Sequence, residues 1–386
     1  MTGEEIGHKH KGALPEVRRI ARAFHALTKG WWGGATRRQA WFLTIALAGS
    51  LCVMMGVNVL ANRWQGWFFD ALEKRDGATL WGVVAILPVL VFMTAGIGVC
   101  IVLTRETLQV RWREWITRKL LARWMGSLRF QRLKASGHEP ANPEYRIADD
   151  VRMTVEHLTD LVIGLLTALL SAIAFFSILW NVGGGFHVSL GGISFDLPAY
   201  FVLAALAYGV FTSGLITLIG RSLIWKIAAR NEAEAAFRST LTLLRDRAEE
   251  IAATRRAEEE HTKSGEAYGK IVQRWLSAIR THGHITWITN SNGLMIATVP
   301  LLLAAPKFLA GEMSLGDVAR VAAAFGPAQA AISWLVDNFR IVAQWAASAR
   351  RVVELAEAME QLDGLTSPAN AQAFAEPSAA QPAAGE

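Results

Sequence analysis

Cysteine is nearly absent: the 386 residues include two, Cys52 and Cys100. Each stands in an apolar stretch, with no second thiol or histidine at metal-binding spacing. A disulfide framework and a cysteine-based metal site are thereby excluded, and both read as small apolar core residues. Tyrosine is scarce too, 4 against 15 tryptophans. No basic block stands apart from the apolar segments, so the net charge of +6 gives no footing for nucleic acid. Nor is there a Walker A loop. Gly7 and Gly12 have its spacing, but Ala13 and Leu14 stand where lysine and serine or threonine would hold phosphate and Mg²⁺. With no nucleophile, base and acid set either, the chain is expected not to be an enzyme and to hold no metal or cofactor of its own. The 40 residues before the first long apolar stretch have no short apolar core and no small-residue cleavage site. A cleaved signal peptide is therefore not expected.

Apolar residues, by contrast, make up 52% of the chain, and mean hydropathy is positive. That is more than a soluble protein of this length carries, and the chain reads as an all-α membrane protein. Six stretches can cross a hydrocarbon layer about 30 Å thick: 41–60, 80–103, 160–180, 199–219, 285–305 and 318–339. Lysine and arginine outside them number eight before the first, then three, eleven, none and twelve in successive loops. Positive charge favours the cytoplasmic side, so both termini and the two long loops are expected inside. Tryptophans near span ends, among them Trp31, Trp32, Trp81, Trp180 and Trp287, suit interface anchoring. Just upstream, EVRRIARAFHALTKGWW (16–32) has a basic face and an aromatic end, the pattern of an amphipathic helix lying on the inner surface.

The long inner loops are helical by pattern. Leu108, Trp112, Trp115, Ile116, Leu120, Trp124 and Leu128 recur at steps of three and four. The second span should therefore run on as helix to Lys134, where Gly137, Pro140 and Pro143 end it. The fourth span continues likewise through the charged stretch 230–260, with a polar turn near Ser264 and Gly265 before the helix leading into the fifth.

FFDALEKRD (68–76), WREWITRKLLARW (112–124) and NPEYRIADDVRMTVE (142–156), on six spans with cytoplasmic helical extensions, resemble a known membrane domain. It is the one shared by the SbmA/BacA peptide transporters and the peroxisomal fatty-acyl ABC transporters. A second motif, in Glu234-Ala235-Ala236-Phe237-Arg238 followed by Arg245 and Glu249-Glu250-Ile251-Ala252, resembles the same group. The resemblance covers roughly residues 35–360. It implies an ABC exporter-type transmembrane domain over 41–360, a cytoplasmic segment over 1–40, and a domain-swapped homodimer in a bacterial inner membrane. Asn142, Pro143, Arg146, Asp150, Arg238, Glu249 and Glu250 then form the coupling-loop motif. Where family members continue into an ATPase, this chain has an Ala/Pro-rich segment, 361–386, too polar to fold by itself. Two energy sources follow from the resemblance: protons, as in the SbmA/BacA branch, or ATP through a separate ATPase subunit. Peptides or other bulky amphipathic solutes are the expected cargo.

Charged groups at membrane depth are costly and tend to mark a pathway. Gln329, Ser333, Asp337, Arg340 and Gln344 fall on one face of the sixth span, as cavity lining, although Asp337 and Arg340 could simply pair. Glu156 and Asp160 lie one turn apart at the start of the third span, where they could share a proton or be neutralised by Arg152. Within the second motif the resemblance singles out Glu234 as an acidic group implicated in transport. Arg238, four residues on, is placed to pair with it. Gly326-Pro327 marks the expected kink of the sixth span.

Overall fold

The computed structural model describes residues 3–137, 139–190 and 193–365. In chain order come α1 (Gly3–Thr28), the turn α2 (Gly30–Gly33), α3 (Arg37–Glu73), α4 (Gly77–Met125), α5 (Arg129–Ser136) and the turn α6 (Pro143–Tyr145). A π-turn over Arg146–Asp150 joins α6 to α7 (Val151–Gly183); α8 (Tyr200–Asp246), α9 (Ala248–Thr254), α10 (Ala257–Leu309), α11 (Leu315–Asp337) and α12 (Phe339–Leu365) follow. Between α7 and α8, β1 (Phe186–Leu190) and β2 (Ile193–Leu197) pair antiparallel, Phe186 opposite Leu197. Among the described residues, this pair of strands is the one departure from a helical fold.

Among the described residues, five segments are long and apolar enough to cross a membrane: Arg37–Glu73, Gly77–Ser136, Pro143–Gly183, Tyr200–Asp246 and Ala257–Leu309. α11 has the length, at 23 residues, but is rich in alanine and less apolar. α4, α8 and α10 have 49, 47 and 53 residues. At about 1.5 Å per residue each is more than twice the thickness of the hydrocarbon layer, so long extensions leave the membrane.

The helices break at places other than those the composition suggests. α4 ends at Met125, not Lys134, and Ser127 and Leu128 take left-handed backbone. Arg129 holds this break, donating to the carbonyls of Arg123 (3.0 Å) and Gly126 (3.3 Å) and pairing with Asp363 at 2.7 Å. In the fourth loop the breaks fall at Arg247 and Arg255-Arg256, while Ser264 and Gly265 lie inside α10. α11 runs through Gly326 and Pro327 and stops at Asp337, and one residue, Asn338, separates it from α12. Helix also continues to Leu365, into the segment expected to be unfolded; residues 366–386 of that segment lie outside the described residues.

The chain divides into two compact units. One gathers 1–58, 87–170 and 337–386. Its core joins Ile20, Phe24 and Leu27 of α1 to Trp112, Ile116 and Leu120 of α4, Val151 and Val155 of α7, and Val352, Leu355 and Met359 of α12. The apolar stripe of α1 therefore packs on protein, because such a stripe accepts any apolar partner and α4 and α12 supply one. Trp31, expected as an interface anchor, is buried and stacks on Trp112 with ring centroids 6.0 Å apart. Lys119 closes α1 from its open end, donating to the Leu27 carbonyl at 2.6 Å.

The other unit gathers 59–86 and 171–336. α8 and α10 form an antiparallel pair, as the partners show: Tyr200 with Leu303, Tyr208 with Asn292, Lys226 with Thr281 and Phe237 with Tyr268. The acidic end of α3 caps α11, Asp70 accepting from the Gly316 N–H (3.0 Å) and Glu73 from that of Leu315 (2.9 Å). Gly316 permits this approach, since a Cβ there would overlap Asp70 and the Gly66 carbonyl.

Candidate functional site

Asn142, in left-handed backbone at φ 51°, turns the chain so that Pro143 opens a new helix with its ring buried. One turn later Arg146 points away from solvent. Its Nε donates to the Ala141 carbonyl (3.0 Å), and its Nη1 to the Arg351 carbonyl (2.8 Å) and to Glu354 Oε2 (2.9 Å). Asp150, wholly buried, receives the fork of Arg351: Nη2 to Oδ1 at 2.6 Å and Nε to Oδ2 at 2.8 Å. Arg350 adds a bond to Glu354 (2.9 Å) and reaches Glu16 on α1 at 3.0 Å. The motif residues Arg146 and Asp150 therefore act on α12, clasping its RRVVE segment through paired, charge-assisted bonds. Burial pushes the Glu354 carboxyl up, but the guanidiniums of Arg146 and Arg350 outweigh it and hold the group below its ordinary value. Asp150 beside Arg351 raises that guanidinium's pKa further.

The candidate proton carriers are each matched to a cation. Glu156 pairs with Arg152 at 3.3 Å, and Arg152 also reaches Asp149 at 3.3 Å. Asp160 accepts from Gln109 (3.2 Å) and lies 3.8 Å from Arg105. Glu234 pairs with Arg230 at 3.5 Å, not with Arg238. Both arginines have the right spacing, but Arg230 lies over the Trp275 ring, 5.1 Å from its centroid, and is already held on that side. Arg238 and the α9 residues Glu249 and Glu250 are exposed.

The polar stripe of the sixth span is interrupted at Asn338, between α11 and α12. Gln329 and Ser333 are buried, Gln329 donating to Thr212 of α8 at 3.4 Å. Asp337, Arg340 and Gln344 are exposed. Two further polar contacts accompany Gln329: Ser171 with the Pro327 carbonyl (3.3 Å) and Tyr208 with Asn292 (2.6 Å). Tyr208 and Thr212 lie one helical turn apart on α8, and Asn292 closes the polar run Thr289-Asn290-Ser291-Asn292 on α10, but neither stretch has a spacing that names its partner across the helix pair. Among the described residues no three His, Cys, Asp or Glu side chains are grouped to hold a metal ion.

Among the described residues, five long apolar helices, three of them far longer than a membrane is thick, suit the membrane domain that the resemblance implied, and comparison with known families agrees. The profile of the family described as ABC transporter transmembrane region 2 matches residues 27–309, well over half of the chain. The chain belongs to this family. Among curated relatives of this ABC transmembrane region, the inner membrane ABC transporter ATP-binding protein YddA of Escherichia coli (strain K12) is 24% identical over 347 residues. An uncharacterized ABC transporter ATP-binding protein of Synechocystis sp. is 26% identical over 328 residues. ABC transporter D family member 2, chloroplastic, of Arabidopsis thaliana is 20% identical over 347 residues. The matches cover 89%, 83% and 89% of this chain but 62%, 46% and 47% of the relatives, so the chain spans less than two thirds of each.

Proposed function

We propose that this ABC transmembrane region forms, as two copies, the membrane part of an ATP-driven transporter in a bacterial inner membrane. α11 serves as its sixth span, and both termini face the cytoplasm. The observation that carries this reading is the clasp: Arg146 and Asp150 tie α12 to the start of the third membrane-crossing segment. A helix fixed in this way passes a push from a cytoplasmic partner to the membrane helices, which is what an ATP-binding subunit or domain would need. The names of the relatives, which include ATP-binding proteins, support the same reading. Peptides or other bulky amphipathic solutes suit a pathway between two copies.

The proton-driven reading, in the manner of SbmA/BacA, is the second. It draws on Asp160, a half-exposed carboxylate held loosely at 3.8 Å from Arg105. Liposomes holding only this chain separate the two. With a labelled amphipathic peptide and an imposed pH gradient but no ATP, the ATP-driven reading expects no accumulation. Accumulation that Asp160→Asn or Glu234→Gln abolishes would overturn it in favour of protons.

A further inference from the structure

Ser213, Gly214, Thr217, Leu218 and Arg221 of α8 line, together with Val336 of α11, an open groove of about 360 Å³. Tyr200, at the head of α8, and Arg221 are separated by about 30 Å of helix. On the orientation proposed above, Arg221 therefore stands at the inner membrane boundary. Its side chain is exposed and has no hydrogen-bond or ion-pair partner among the described residues. The next two cations on α8 are already engaged, Lys226 by Thr281 and Arg230 by Glu234. Helical side chains lean toward the preceding turn, which directs the guanidinium over Thr217 and Leu218, into the groove.

A second observation lies deeper. The Ser213 hydroxyl is buried under the groove without a hydrogen-bond partner. Buried polar atoms rarely stay unpaired. A turn about χ1 brings this donor toward the groove and breaks no bond. Thr217 differs: its hydroxyl already donates to the Ser213 carbonyl at 2.7 Å. The groove thus offers a free cation at the membrane boundary, a spare hydroxyl about 12 Å further in by helix rise, and apolar walls at Leu218 and Val336.

We propose that this groove binds one anionic phospholipid of the inner leaflet. Its phosphate sits on Arg221, a glycerol ester carbonyl accepts from Ser213, and an acyl chain lies along Leu218 and Val336. A guanidinium is suited to phosphate because its N–H groups engage two oxygens at once. Basic pockets between membrane helices on the cytoplasmic side are known to take such headgroups. A lipid held there would wedge against α8 and α11, the two helices that Gln329 and Thr212 join.

Lipid retention tests the site without reference to transport, so its failure and that of the transporter reading stay distinct. The full chain in detergent is titrated with dioleoylphosphatidylglycerol or dioleoylphosphatidylcholine, and bound lipid is counted by native mass spectrometry. Phosphatidylglycerol is expected to bind about 10-fold more tightly. Arg221→Gln removes the preference, Arg221→Lys keeps part of it, and Ser213→Ala weakens phosphatidylglycerol binding about threefold, all with unchanged helical circular dichroism. Equal retention of both lipids by the unaltered chain would overturn the site, as would a preference that survives Arg221→Gln. Loss of preference in Arg238→Gln, outside the groove, would show general charge attraction instead. Displacement of phosphatidylglycerol by sn-glycerol 3-phosphate at similar concentration would mean a soluble phosphate site, and the lipid proposal would fall.

Discussion

Asp150 and Glu354 both carry a carboxylate against an arginine, yet their surroundings set different consequences. Asp150 has no contact with solvent, and its removal strands the fork of Arg351 and leaves a hole where two charge-assisted bonds were. Asp150→Ala is expected to cost about 3 kcal/mol of stability. Glu354 is partly exposed and shares its load between Arg146 and Arg350, so Glu354→Gln should cost less than about 1 kcal/mol. Thermal unfolding of the purified chain ranks the two; equal losses would contradict the clasp as described. Acid acts on the same place. Glu354 is held below its ordinary value of 4.5, so the folded state binds its proton less readily than the unfolded chain does. Its contribution is complete above the ordinary carboxylate range and is lost as pH falls through the lowered value. Protection of α12 against hydrogen exchange, relative to the intrinsic rate at each pH, should therefore fall as pH drops below the ordinary carboxylate range, and in Glu354→Gln that acid step should shrink. Arg146 and Asp150 were legible as a motif. Their partners were not, since Arg351 and Glu354 lie some 200 positions away and local spacing carries no record of them.

At the scale of elements, hydropathy located five of the six expected segments as long apolar helices, because burial in lipid demands about 20 apolar residues in a row. It could not locate the breaks. Gly137 and the two prolines after it are strong local stop signals, but α4 ends twelve residues before Gly137, where Arg129 and Asp363 hold a turn that no composition announces. The amphipathic α1 shows the same limit: its stripe was visible, its protein partner was not. Close helix packing depends on glycine in a way that can be tested. Gly316→Ala would push a Cβ into Asp70 and the Gly66 carbonyl and should destabilise the α3–α11 contact by about 1–3 kcal/mol. Gly293→Ala, inside α10 with open space around it, should be neutral or stabilise by up to about 1 kcal/mol. Thermal midpoints of the two variants in detergent should move in opposite directions or differ clearly in size. A Gly316→Ala chain as stable as the unaltered one would show that the α3 end does not cap α11.

For the whole molecule, the part of α10 that precedes the fifth expected span raises a question that one chain does not answer. Val272, Trp275, Leu276 and Ile279 share one helical face and remain exposed. They lie beyond the fifth span, in a stretch flanked by Lys270, Arg274 and Arg280, so lipid tails are not their expected cover. Exposed apolar faces of this kind mark interaction sites, and the two-copy reading supplies a partner for this one. On that reading the unaltered chain runs as a dimer in detergent and in nanodiscs. Ile279→Asp together with Leu276→Glu introduces two carboxylates that a closed interface could not hydrate, and each would cost several kcal/mol if buried unpaired. Light scattering coupled to size exclusion is expected to show monomers for this double variant, with its helical signal intact. Arg280→Glu, a charge change beside the stripe, should leave the dimer in place. If the double variant remains dimeric, the contact between copies lies elsewhere, and the exposed stripe must be assigned to the cytoplasmic partner on which the ATP-driven reading depends.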